Sequence, residues 1–259
     1  MITEKRILNQ NNEEIFVETY TPVNIKSTII FCHGITGCRK GRTMEDSYFQ
    51  QLAKKLMNIN YKVVLFDFSG HGDSRGNDYD VCLSKSTKEL EIVFNEEVID
   101  KNKVDFLAFS YGSAVLCNFL LQNPSINPNH IVLYSPCLYP NESCFLNPDS
   151  FFGKDIVKDY KNGKLKEKNY CTVGAKNFRF GIKIINECEI FEPNYLSKFS
   201  DKILVLSGKK DVILNTKYND EFCNKNNITN IYLDASHSLF EEIENAFDYT
   251  LNFLENSIN

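Results

Sequence analysis

Apolar positions along this chain follow two rhythms that take turns. Ile15 to Tyr20 and Ser27 to Cys32 are short runs rich in β-branched and aromatic residues and predict strands. The second is almost wholly apolar, as a strand buried on both faces must be. Met44 to Asn58 instead repeats apolar residues at Tyr48, Phe49, Leu52, Ala53, Leu56 and Met57, which is helical spacing. The alternation continues with a strand over Lys62 to Phe68, a helix over Leu83 to Ile99, a strand over Val104 to Phe109, helix-compatible sequence from Ala114 to Leu121 and a strand over Ile131 to Ser135. Strands alternating with helices predict an α/β fold, a mostly parallel central sheet with helices on both faces.

From Pro136 to about Phe199 the rhythm stops. Pro and Asn breaks and many aromatics (Phe145, Phe151, Phe152, Tyr160, Tyr170, Phe178, Phe180) replace it. Asn162-Gly163, between Val157–Tyr160 and Leu165, predicts a β-hairpin turn. Regular alternation returns with a strand over Lys202 to Ser207, a helix over Thr216 to Asn224, a strand over Asn230 to Leu233 and a helix over Leu239 to Leu254. The expected organisation is one core, 1–135 and 200–259, interrupted by an inserted cap, 136–199, with no internal repeat.

Composition narrows the function. The 259 residues carry 29 Lys+Arg among 34 Asp+Glu, a formal net charge of −5, so no basic face for nucleic acid is expected. Nine cysteines without a C-x-x-C pair indicate neither a disulfide framework nor a zinc site, and no other metal-ligand spacing appears. No phosphate-binding glycine motif is present, so no cofactor is expected. With no signal-like N-terminus and no apolar run near the ~18 residues of a membrane helix, the chain reads as soluble and cytoplasmic, acting on a small molecule. Oligomeric state stays open, a homodimer among the alternatives.

Candidate chemistry gathers where predicted strands end. Val104 to Phe109 stops at Ser110, in Ala108-Phe109-Ser110-Tyr111-Gly112, and helical sequence follows at once. This is the pattern of a nucleophile elbow, in which a strained turn lifts a serine hydroxyl clear of the sheet. After Cys32, His33-Gly34-Ile35-Thr36-Gly37 supplies a glycine turn with exposed amides, the arrangement an oxyanion needs. A serine is reactive only when a histidine takes its proton and a carboxylate orients that histidine. Of the two histidines beyond Ser110, His130 precedes its strand, at the wrong end of the sheet, whereas His237 follows the last strand. Asp211 sits in the loop after Lys202–Ser207, and Asp234, closer to His237 in sequence, competes for the acid role. Each residue alone has a plainer reading, as helix cap or solvated loop side chain; the order Ser, Asp, His, each after a strand, argues for chemistry. His33 is expected to orient its own loop, and Gly70-His71-Gly72-Asp73-Ser74 to be loop structure.

Together, His33-Gly-Ile-Thr-Gly37, Phe66-Asp-Phe-Ser-Gly-His-Gly-Asp-Ser74, Ser110, Asp211 and His237 resemble the α/β-hydrolases, and within them the bacterial cinnamoyl/feruloyl esterases and serine-aminopeptidase-like hydrolases. The resemblance implies Ser110 as nucleophile, His237 as general base and Asp211 as its orienting acid. It further implies an oxyanion hole from the backbone amides of Ile35 and Tyr111, supported by His33, Gly34 and Gly112. Phe178 to Asn186, followed by Ile190-Phe-Glu-Pro, resembles the returning helix of the esterase cap. Ala108 stands where the elbow pattern has glycine, and Phe109 and Tyr111 flank the serine where those esterases commonly have His and Gln. The expected reaction is cleavage of a carboxylic ester with a small, aromatic or apolar acyl group through an acyl-enzyme. Thioester hydrolysis, aminopeptidase-like cleavage and acyl transfer share the machinery, and a non-catalytic binding protein on the same scaffold is the rival from another class.

Overall fold

A computed structural model of the chain describes residues 1–173 and 177–256. Its first half comprises β1 (Ile2–Leu8), β2 (Glu14–Tyr20), β3 (Ser27–Cys32), α1 (Tyr48–Asn58), β4 (Tyr61–Phe66), α2 (Leu83–Glu97), β5 (Val104–Phe109), α3 (Tyr111–Gln122) and β6 (Ile131–Tyr134). The aromatic segment follows, with α4 (Gly153–Lys161), α5 (Lys164–Lys168), β7 (Tyr170–Val173), β8 (Phe178–Gly181) and α6 (Ile182–Glu189). The chain closes with β9 (Ile203–Gly208), α7 (Lys217–Lys225), β10 (Thr229–Leu233) and α8 (Ile243–Asn256).

Eight strands form one sheet in the order β1-β2-β4-β3-β5-β6-β9-β10. The six from β4 to β10 run parallel, and β1 and β2 join antiparallel at one edge. Every residue of β3, β4, β5 and β6 is buried, because helices cover both faces. Alternate residues divide accordingly. Ile30, Cys32, Phe106 and Ala108 pack with α2, α3 and the aromatic segment, while Ile29, Phe31, Leu107 and Phe109 pack with α1 and α8. Because these six strands run parallel, the loop after each of them emerges at the same end of the sheet.

Several expectations need correction. β1 is a strand that the polar pattern hid: as the exposed edge it buries almost nothing, so no apolar rhythm marks it. Asn162-Gly163 is not a hairpin turn. α4 ends there, Gly163 adopts φ +73, and α5 continues. Ile156, Val157 and Leu165 are buried from these helices, and the left-handed glycine acts as a helix terminator rather than a strand connector. The hairpin lies downstream instead, with Tyr170 paired to Gly181 and Val173 to Phe178. Phe178 to Gly181 is therefore strand, and only Ile182 onward is the returning helix. α1 starts at Tyr48 rather than Met44, and α8 at Ile243, after a single 3₁₀ turn over Phe240–Glu242.

The segment between β6 and β9 sits against the body through specific bonds. Arg179 pairs with Asp78 at 2.7 Å, Ser84 N–H donates to Glu187 at 2.7 Å, and Phe151 N–H donates to the Val212 carbonyl at 3.2 Å.

Candidate active site

The site grows from the junction of β5 and α3. Ser110 takes φ +52 and ψ −123, a conformation costly to any residue with a Cβ and held here because strand and helix fix both sides. The tightness explains the glycine two residues on: a Cβ on Gly112 would overlap the carbonyl of Cys32 in β3. Gly34 is pressed in the same way, since a Cβ there would lie 3.1 Å from the Phe109 ring and from Ser110 Cβ. Ala108 is buried in the α2/α3 face, so its methyl is accommodated within the core.

His237 and Asp211 reach this serine from the loops after β10 and β9. His237 Nε2 lies 2.9 Å from Ser110 Oγ, and His237 Nδ1 lies 2.7 Å from Asp211 Oδ2. The other Asp211 oxygen accepts the backbone N–H groups of Ile213 at 2.8 Å and Leu214 at 3.0 Å, which aims the carboxylate. Its side chain is 1% exposed. A carboxylate so placed can only accept, so the His237 proton resides on Nδ1 and Nε2 is left to accept from the Ser110 hydroxyl. Asp234 does not join this chain; it is exposed and pairs with Lys210 at 3.0 Å. His130 is far from it as well, bonded to Asp105 at 2.6 Å at the opposite end of β5 and β6.

The second loop at this end is equally constrained. Gly37 N–H donates to Gly34 O at 3.0 Å, so Ile35 and Thr36 are the central residues of a turn whose own bond uses neither of their amides. Tyr111 opens α3, where first-turn amides lack helical acceptors. Ile35 and Ser110 both line one cavity of about 420 Å³, with apolar walls from Phe109, Phe152, Phe178 and Val212. His33 does not face this cavity's reacting end as a proton carrier: Nε2 accepts Phe68 N–H at 3.0 Å and Nδ1 donates to Gly34 O at 2.8 Å. Burial, and then the neighbouring His71, hold its pKa well below the ordinary histidine value, which keeps it neutral.

Sequence reasoning missed the clamp beneath this loop. Arg39 is buried over the Phe16 ring at 4.1 Å and bonds Asp67 at 2.6 Å, Glu18 at 3.1 Å and Asp73 at 2.9 Å. Asp67 also accepts the Arg39 N–H at 2.7 Å and the Asp73 N–H at 2.9 Å. The loop bearing Ile35 and the loop bearing His71 are thereby locked together. Only Asp67, standing at a strand end, offered a signal. Among the described residues no group of three or more His, Cys, Asp or Glu side chains is arranged to hold a metal ion. Nor is any described helix long and apolar enough to cross a membrane.

The sequence profile described as serine aminopeptidase, S33, matches residues 24–244, most of the chain, a span that includes Ile35, Ser110, Asp211 and His237. The chain belongs to the serine aminopeptidase (S33) family. Its S33 fold is shared by solved α/β-hydrolases of low identity. A protein from Agrobacterium vitis S4 superposes with a TM-score of 0.77 at 16% identity, covering 98% of this chain and 100% of that one. A Butyrivibrio proteoclasticus protein solved with ferulic acid bound gives 0.74 at 15%, covering 98% and 99%. An esterase from Pyrococcus furiosus gives 0.66 at 16%, covering 98% and 92%. No curated protein sequence matches this S33 hydrolase.

Proposed function

We propose that this S33 hydrolase cleaves a carboxylic ester of an aromatic or apolar acyl group through an acyl-enzyme on Ser110. One observation carries the reading: the Ser110–His237–Asp211 hydrogen-bond chain opens onto a cavity with apolar walls. Ser110 Oγ attacks the acyl carbonyl as its proton passes to His237 Nε2, and Asp211 stabilises the imidazolium through Nδ1–H. The tetrahedral oxyanion is met by the amides of Ile35 and Tyr111. His237 then returns the proton to the leaving alcohol, and a water deprotonated by the same nitrogen hydrolyses the acyl-enzyme. The 136–199 segment serves as a cap, with Phe152 and Phe178 against the acyl group. The ferulic acid bound to the similar Butyrivibrio proteoclasticus protein supports an aromatic acyl group here.

The test is labelling with a fluorophosphonate followed by peptide mapping, beside turnover of p-nitrophenyl esters of increasing acyl length. Modification of Ser110 alone and a rate maximum at one length are expected. Folded protein that is neither labelled nor active would favour ligand binding on a hydrolase scaffold. Matched thioesters, aminoacyl amides and an added alcohol acceptor separate ester hydrolysis from thioester hydrolysis, aminopeptidase-like cleavage and acyl transfer.

A further inference from the structure

The Gly70-His71-Gly72 turn is built with some care for a segment that carries no role in the reaction above. Gly70 takes φ +76 and Gly72 φ +51, and a Cβ on Gly72 would overlap the Asp67 carboxylate. Between them the turn drives a histidine inward, to 6% exposure, beneath the loop that carries Ile35. Its ring lies 5.0 Å from the His33 ring and 5.4 Å from Phe178.

Both nitrogens of that ring meet carbonyl oxygens, Nε2 the carbonyl of Ile35 and Nδ1 that of Ser69 at 3.1 Å. A carbonyl cannot donate, so each bond requires a proton on the ring, and a neutral imidazole has one to give. The Ile35 carbonyl is the closer partner and the only one of the two that belongs to another loop. It is also the free end of the turn: Gly34 O is taken by Gly37 N–H and by His33, and Arg39 N–H by Asp67, but no backbone amide outside the regular elements reaches Ile35 O among the described residues.

We propose that His71 is a positioning residue for the Ser110 reaction, its Nε2–H holding the Ile35 carbonyl and so fixing the turn that presents the Ile35 amide to the oxyanion. This rests on the proposed acyl-enzyme reading. The ring makes no contact with substrate; it acts through Ile35, holding the carbonyl on one side of the Cα and so limiting the backbone that carries the amide on the other. Rotation about the Ile35 backbone swings the amide, and an oxyanion hole works only where its donors stand within hydrogen-bond reach of the developing charge.

The test compares His71→Leu, which keeps the bulk and loses the donor, with His71→Gln, which keeps a donor. Steady-state kinetics on the best p-nitrophenyl ester should show His71→Leu losing about 30-fold in kcat with KM within threefold, a fraction of the ~10²–10³ lost when an oxyanion donor is removed outright. His71→Gln should recover at least tenfold of that loss. Hydrogen exchange of the peptide spanning 33–41, which needs no turnover, should quicken in His71→Leu and stay near wild type in His71→Gln. Equal rates for the two variants, a loss confined to KM, or unchanged exchange in His71→Leu would overturn the proposal. If His71→Leu fails to fold, His71→Asn, a donor too short to reach Ile35, replaces it with the same expected outcomes. Absence of fluorophosphonate labelling in the wild type would instead sink the acyl-enzyme reading, leaving the exchange comparison to decide whether His71 holds the loop.

Discussion

Two histidine–aspartate pairs stand at opposite ends of the same sheet, and they differ in what lies beyond them. At the end reached by the loops after β5, β9 and β10, Asp211 grips one nitrogen of His237 and the other faces Ser110 beside a cavity. At the other end Asp105, fully buried in β5, accepts from His130 at 2.6 Å and also from the hydroxyl of Ser27. The second trio has the same three residue types in another order, with the acid in the middle. The serine there donates a hydrogen bond to the carboxylate, so no nitrogen is left poised to activate it, and all three residues are buried. One arrangement suits proton transfer; the other ties strands β3, β5 and β6 together. Residue types alone do not distinguish a reactive site from a structural bolt; connectivity and access do.

The comparison breaks most visibly on activity. Ser110→Ala or His237→Ala should lower kcat by about 10⁴ to 10⁶ and Asp211→Asn by about 10⁴. Asp105→Asn, once shown to be folded, should keep kcat within about threefold of wild type, since Asp105 is buried at the far end of the sheet and bonded to His130 and Ser27. Asp234→Asn should likewise change kcat by less than about threefold, and a larger loss there than in Asp211→Asn would mean the acid was misassigned.

Stability inverts the ranking. Removing His130 leaves Asp105 buried with only Ser27, and His130→Ala should cost about 3 kcal/mol in urea unfolding while kcat is retained. Ser110→Ala should cost under about 1 kcal/mol, because its hydroxyl faces a cavity rather than the core. Equal costs at both ends would remove the distinction.

The smallest effect is a dependence on pH. His33 has its pKa pushed well down by burial and by His71, and His71 is lowered by burial. The unfolded chain therefore binds protons that the folded chain refuses. Stability is fully present above the unfolded histidine value of about 6.5 and falls as pH drops below it, by at most ~1.4 kcal/mol per pH unit per group, until the depressed folded values are reached. Urea unfolding at pH 7 and pH 5.5 should show this decline, and His33→Gln should shrink it. A stability independent of pH over that interval would argue against a neutral, buried pair.

How much of this was legible beforehand follows from burial. β3, β4, β5 and β9 announce themselves because every residue is buried and most are apolar, so the run itself is the signal. β1 gives none, since its side chains meet water on the exposed edge. The four-residue strands β7 and β8 are too short for a period to register, and Asn162-Gly163 looked like a turn between strands because helix termination and hairpin formation ask the same thing of glycine. Ser110, Asp211 and His237, which the structure brings into one hydrogen-bonded chain, were readable from their order, each just after a strand. Arg39 and His71 were not: on paper a buried arginine looks like any surface one, and its partners Glu18 and Asp67 lie 21 and 28 residues away.

The aromatic segment leaves the sheet after Tyr134 and rejoins it at Ile203, and the two strands it connects are neighbours, with Ile131 opposite Ile203 and Tyr134 opposite Leu206. A stretch whose ends are already side by side can be lengthened, shortened or exchanged without threading the sheet anew. Ser110, Asp211 and His237 all lie outside it. Divergence of such a protein can therefore proceed as a graft, new walls for the pocket being acquired in one piece while the residues proposed to break the bond stay in place.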